Sequence, residues 1–181
     1  MQIIQTKISD VIILEPQLFS DSRGFFLETY NERDFHELGI TEHFVQDNQS
    51  HSKKGILRGL HFQIENTQGK LVRVLQGEIL DVAVDLRPHS ATYGKWTAAR
   101  LTSTNHHMIW IPKGFAHGFY TLSETADVAY KVTDFYSPQF ERTLLWNDPD
   151  LAIDWPLDGE PILSDKDRAG LSLRALRPQS I

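Results

Sequence analysis

Lys70-Leu71-Val72-Arg73-Val74-Leu75 runs into Gln76-Gly77, and Ile79-Leu80-Asp81-Val82-Ala83-Val84-Asp85-Leu86 follows at once. Both runs are rich in β-branched and apolar residues and too short for ordinary helices, so both read as strands. In the second, side chains two apart share a face. Leu80, Val82, Val84 and Leu86 lie on one side, and Asp81, Ala83 and Asp85 on the other. The glycine between the runs predicts a hairpin turn. Working outward, Met108 to Ile111, Gly118 to Leu122 and Val128 to Phe135 read as further strands, separated by Gly, Pro, Asn and Ser turns. One stretch, Glu32 to Leu38, reads as a short helix, with Asn31 as N-cap and Gly39 as the stop. The tail after Trp155, richer in Pro, Asp and Arg, is expected to pack over the rest as turns and a short helix. Many short strands with frequent turns predict an all-β sandwich or jelly-roll barrel.

A length of 181 residues fits one domain, and no linker or repeat divides the chain. The net charge of −6 argues against a nucleic-acid surface, which needs a basic face, but leaves room for a few cations around a small anionic ligand. No cysteine is present, which excludes disulfides, thiolate metal sites and a cysteine nucleophile, and is compatible with the reducing cytosol, the location expected here. The start, Met1-Gln2-Ile3-Ile4-Gln5, lacks a basic region and a long apolar core, so no signal peptide is expected. The longest apolar runs, such as Val11 to Leu14, are too short to cross a bilayer.

Chemistry concentrates in three segments. In Gly55-Ile56-Leu57-Arg58-Gly59-Leu60-His61-Phe62-Gln63, a histidine sits in an apolar strand beside a cation. Such a histidine is either a core residue held by a hydrogen bond or a general base. Arg58 and His61 are three apart, which on a regular strand sends them to opposite faces. Either Gly59 marks a bulge or Arg58 reaches around the strand end. In Ile111-Pro112-Lys113-Gly114-Phe115-Ala116-His117-Gly118-Phe119, a second histidine follows a Pro-x-Gly turn. In Ala129-Tyr130-Lys131-Val132-Thr133-Asp134-Phe135-Tyr136, tyrosines punctuate a strand, where they are either exposed aromatics or an acid.

The two histidine segments together resemble the paired motifs of cupin jelly rolls. Gln63 stands where a metal-binding cupin carries its second histidine, and Thr67 and Gln68 stand where its glutamate falls. His61 and His117 alone are too few for a zinc or iron site, so no metal is expected. A wider set of stretches is similar to the dTDP-4-dehydrorhamnose 3,5-epimerase family: Asp21-Ser22-Arg23-Gly24-Phe25-Phe26-Leu27-Glu28, Phe44 to Asn48, Leu57 to Gln63, Gly69 to Val72, Asp81 to Asp85, Pro112 to Phe119, Tyr130-Lys131 and Trp146 to Pro149. They occur in order over nearly the whole chain.

That resemblance implies a cupin-type jelly-roll barrel with short peripheral helices and an isomerase acting on a dTDP-linked 4-keto-6-deoxy sugar without a cofactor. It implies His61 as base, Tyr130 as acid and Lys70 beside the sugar carbonyl. Asp167 resembles the carboxylate paired with the histidine, with Asp165 two residues away. Arg23, Glu28, Gln46, Asn48, Arg58, His117, Glu141 and Lys166 resemble substrate-binding residues. Tyr136 resembles the aromatic that stacks on thymine, with Phe26 facing the same base. The family is homodimeric with strand exchange near the N-terminus, so Arg23 and Phe26 are expected to serve a partner's site. The motifs do not separate this activity from inversion at C3 alone. A metal-dependent cupin is disfavoured by Gln63, and a non-catalytic sugar-binding cupin by the joint presence of His61, Lys70 and Tyr130.

Overall fold

A computed structural model describes residues 1–176. It contains β1 (Gln2–Gln5), β2 (Ile12–Glu15), β3 (Leu18–Asp21), β4 (Gly24–Leu27), α1 (Glu32–Glu37), β5 (Gln46–Lys53), β6 (Leu57–Gln63), β7 (Lys70–Gln76), β8 (Glu78–Asp85), β9 (Trp96–Thr102), β10 (Met108–Ile111), β11 (Phe115–Thr121), β12 (Thr125–Val132), β13 (Glu141–Thr143) and α2 (Asp165–Arg168). Two antiparallel sheets face each other, one in the order β1-β2-β10-β7-β12-β5 and the other β13-β6-β11-β8-β9. This is the all-β jelly roll that the strand pattern predicts, and the cupin-like form of it that the motif resemblance implies.

The hairpin predicted between the two opening runs does not form. β7 pairs with β10 and β12 in one sheet, while β8 pairs with β11 and β9 in the other. Gly77, at φ +81°, turns the chain across from one sheet to the other. The reason lies in the residues. β7 buries Val72 and Val74 on one face and Leu71 on the other, and β8 buries Ile79 and Ala83 on one face and Val82 and Val84 on the other. Strands with apolar residues on two sides need neighbours and cover that a two-stranded ribbon cannot supply.

Three apolar clusters follow. Val72 and Val74 of β7, Ile79 and Ala83 of β8, Leu101, Ile109, Phe119 and Val128 fill the space between the sheets. Val82, Val84 and Leu86 point the other way and are covered by Leu144, Leu151, Trp155 and Leu176, so the tail closes the outer face of the five-stranded sheet. Phe35 of α1 and Ile40 pack on Leu71, Met108 and Trp110 outside the six-stranded sheet. Asn31 occupies the N-cap position of α1, but its side chain makes no capping bond. β3 and β4 form a separate two-stranded hairpin that leaves Phe19, Phe25 and Phe26 exposed. Among the described residues no helix is long and apolar enough to cross a membrane.

Candidate active site

The interior between the sheets is apolar at one end and polar at the other, where a pocket of about 370 Å³ opens. Its walls are built by alternation. On β5, Gln46, Asn48, Ser50 and Ser52 share the more buried face, so a strand without apolar residues supplies a polar wall. On β6 the spacing of Arg58 and His61 is resolved by a bulge. His61 pairs with His117 and Arg58 with Phe119, three residues on β6 against two on β11. Gly59 sits in that step at φ +122°, and a Cβ there would stand 2.6 Å from Gly118 Cα and 2.8 Å from the His117 carbonyl oxygen. The bulge lets Arg58 and His61 both line the pocket.

His61 Nε2 lies 2.5 Å from Asp167 Oδ1. Asp167 is held by its place in α2, whose N-cap Ser164 accepts a hydrogen bond from the Asp167 backbone N–H at 3.2 Å. Asp167 is buried, whereas Asp165 is exposed, so of the two carboxylates Asp167 meets the histidine. Burial alone would raise the Asp167 pKa, but the hydrogen bond and charge of His61, with help from Ser164, hold it below the ordinary value. A carboxylate on Nε2 fixes the ring and leaves Nδ1 as the nitrogen available to a ligand.

Tyr130, on β12, faces the same pocket from the opposite sheet. Burial raises its pKa, against the pull of Arg58. Lys70, at the start of β7, is buried and donates to the His61 carbonyl at 3.3 Å. Burial pushes its pKa down to about 8, against the charges of Asp81 and Glu141. Arg58 is braced from behind, with Nε on Ser52 Oγ at 2.9 Å and a terminal nitrogen on the His51 carbonyl at 3.1 Å. Buried His117 donates from Nε2 to the Asp81 carboxylate oxygen Oδ2 at 2.8 Å, and burial lowers its pKa. Glu141 accepts from Lys166 Nζ and from the Tyr136 hydroxyl, each at 3.0 Å. Gln46 accepts the Tyr136 backbone N–H at 3.1 Å, which sets the half-exposed ring at the pocket mouth.

The pocket therefore gathers Gln46, Asn48, Arg58, His61, Lys70, His117, Tyr130, Tyr136, Glu141 and Lys166, with Asp167 behind His61. Arg23, Phe26 and Glu28 do not line it. Arg23 is paired with its neighbour Asp21 at 2.5 Å, Phe26 is 69% exposed, and Glu28 accepts from Asn31 at 3.4 Å. Sequence reasoning missed Ser50, whose hydroxyl is buried in the pocket without a partner among the described residues, and Ser52, which braces Arg58. The period-two run of Gln46, Asn48, Ser50 and Ser52 was the available signal.

Gln63 is occupied elsewhere. Its amide nitrogen donates to the carbonyls of Asn66 and Phe135 at 2.7 and 3.3 Å, and its oxygen accepts from Ser137 N–H at 2.8 Å. Among the described residues no group of three or more His, Asp or Glu is placed to hold a metal.

Residues 5–175 match the family described as dTDP-4-dehydrorhamnose 3,5-epimerase. The Pseudomonas aeruginosa dTDP-4-dehydrorhamnose 3,5-epimerase is 56% identical over 171 residues, covering 94% of each chain. The Neisseria gonorrhoeae enzyme of the same name is 55% identical over 170 residues, and there the chain spans only 52% of the relative's length. Among solved structures, the dTDP-6-deoxy-D-glucose-3,5-epimerase of Legionella pneumophila in complex with dTDP-4-keto-L-rhamnose superimposes with a TM-score of 0.97 at 51% identity, covering 99% of this chain and 96% of the other. With fold and sequence in agreement over nearly its full length, the chain belongs to the dTDP-4-dehydrorhamnose 3,5-epimerase family and is an isomerase.

Proposed function

We propose that the protein inverts C3 and C5 of dTDP-4-dehydro-6-deoxy-D-glucose to give dTDP-4-dehydro-L-rhamnose, a step of dTDP-L-rhamnose biosynthesis. The C4 ketone acidifies the C–H bonds on both sides of it. A base removes one proton to form an enolate, and an acid returns a proton from the opposite face. His61, oriented by Asp167, is the base. Tyr130 is the acid. Lys70 stabilises the negative charge that develops on the C4 oxygen, where preorganised charge has its greatest effect. The ketone is already present, so no redox step is required.

The observation that carries this reading is the placement of His61 and Tyr130 in opposite sheets across one pocket, with Lys70 against the His61 backbone. Inversion needs proton donors and acceptors on two faces of a sugar ring, and two facing walls supply them. Arg58 and Lys166 are suited to the diphosphate, and the exposed face of Tyr136 to the thymine ring. The protein works as a homodimer in which the β3–β4 hairpin crosses to the neighbouring subunit and brings Arg23, Phe26 and Glu28 to its pocket. The exposed phenylalanines of that hairpin are what a crossing segment would bury.

The test is conversion of dTDP-4-dehydro-6-deoxy-D-glucose by the purified protein in D₂O, followed by NMR. Inversion and deuterium at both C3 and C5 are expected. Inversion confined to C3 would replace the proposed activity by the C3-only one, and no turnover would overturn both.

A further inference from the structure

Asp81 lies behind the pocket wall. The alternation along β8 that sends Val82 and Val84 outward to the tail sends Asp81 inward, beside Ala83 of the inner core. A fully buried carboxylate is costly unless its oxygens are satisfied. Here Oδ2 meets His117 Nε2 at 2.8 Å, while Oδ1 is buried with no hydrogen-bond partner among the described residues. The side chain is thus only half satisfied by hydrogen bonds among the described residues.

What compensates is charge. Lys70 is buried, and its direct hydrogen bond is to a neutral carbonyl. Asp81 from β8 and Glu141 from β13 favour its ammonium, and Lys166 from α2 opposes it. Glu141 is already engaged by Lys166 and Tyr136, whereas among the described residues Asp81 pairs with no other lysine or arginine. His117 of β11 and His61 of β6 complete the titratable groups around this floor.

We infer that Asp81 is a positioning residue for this epimerase site: without touching substrate, it keeps the Lys70 ammonium charged beneath the sugar carbonyl and holds His117 with its proton on Nε2. The inference rests on the proposed reading of Lys70 as the cation at the C4 oxygen. With Nε2–H directed at Asp81, the Nδ1 lone pair of His117 is left as an acceptor for a ligand hydroxyl or for Lys70 itself. Deprotonated Lys70 cannot neutralise an enolate, so the site loses activity as pH rises through the Lys70 titration near about 8 and retains it below.

The test is the pH profile of kcat/KM for Asp81→Asn, which preserves shape and an oxygen for His117 while removing the charge. Its alkaline limb moves down by on the order of one pH unit, the low end of what a nearby opposite charge contributes. At pH 8 kcat/KM therefore falls about fivefold from this cause alone, mainly through kcat. A merely structural role lowers the whole profile and leaves the limb where it was, and that result overturns the inference. Absence of turnover by the unsubstituted protein would instead defeat the functional reading itself. If Asp81→Asn does not fold, Asp81→Asn with Lys70→Met decides the matter by thermal unfolding. Removing both charges should restore stability lost with one, because the cost is that of an unpaired buried ammonium. A double variant no more stable than the single one overturns the inference too.

Discussion

Replacing Gly59 by alanine tests whether the bulge in β6 assembles the pocket. Two costs arise. At φ +122° an alanine is forced into a backbone region it rarely adopts, at about 1–3 kcal/mol. Its methyl group would stand 2.6 Å from Gly118 Cα and 2.8 Å from the His117 carbonyl oxygen. Relief requires β6 and β11 to part, at about another 1–3 kcal/mol. The sum, about 2–6 kcal/mol, is a large part of the roughly 5–15 kcal/mol that stabilises a typical domain. For a chain of this size it corresponds to a fall in Tm of roughly 5–20 °C. The control is Gly159→Ala, where φ is +89° and no atom of the described residues lies within 4 Å of the new methyl group, so only the dihedral cost applies. Both proteins should be melted at the same protomer concentration, since the proposed dimerisation would couple stability to concentration. Because the clash displaces the strand that carries Arg58 and His61, kcat/KM measured well below Tm should also fall, by about 10²-fold, as expected for a misplacement of roughly 1 Å. If Gly59→Ala is as stable and as active as Gly159→Ala, the bulge does not have the role assigned to it.

Tyr136→Ala should raise KM by roughly 5- to 100-fold, the equivalent of an aromatic–base stack of about 1–3 kcal/mol. An unchanged KM with a large fall in kcat would place Tyr136 in the chemistry instead. Asp85 is buried among Arg87, Ser90 and Thr92. Burial raises its pKa, but those hydrogen bonds outweigh it and bring the group from 3.8 to about 2. The folded state therefore binds this proton less readily than the unfolded chain, so the stabilisation is complete above the unfolded value and disappears as pH falls between the two. Urea unfolding of wild type and Asp85→Asn should show a gap at neutral pH that narrows over that range, and a gap independent of pH would contradict it. Activity should survive exhaustive chelation, because Gln63, at the ligand position of a metal cupin, spends its amide on Asn66, Phe135 and Ser137. Loss with EDTA and recovery with one divalent ion would refute that.

Much of this was legible in the residues. The apolar runs of β7, β8 and β10 announced strands, and Met108–Ile111 falls where its composition puts it. Their pairing was not legible. A period of two says which residues share a face but not which strand lies alongside, and a glycine between two strands serves a sheet-to-sheet crossing as well as a hairpin. β5 was invisible because Gln46–Lys53 has no apolar residue. Its inward face looks at a pocket rather than at a core, so hydrophobic periodicity could not reveal it. The segments bearing His61, His117 and Tyr130 stood out by composition, and the structure gathers them into one pocket. The partner of His61 depended on geometry, since 106 residues separate it from Asp167, which sits in a short helix capped by Ser164. Asp81 read as one polar residue on a strand face. Its importance appears only once β11 brings His117 alongside.

The most direct test of the two-wall mechanism is position-resolved hydrogen exchange in D₂O, followed by NMR, for His61→Asn and Tyr130→Phe. Without the base no enolate forms, so His61→Asn should show neither inversion nor exchange of substrate C–H protons. In Tyr130→Phe the base on β6 remains and can return a solvent deuteron to the face it came from. Exchange at C3 should persist there while inversion falls by roughly the 10²–10⁴ of one acid–base group. Substantial exchange in His61→Asn, or equal loss of exchange and inversion in Tyr130→Phe, would contradict the assignment of base and acid to opposite walls.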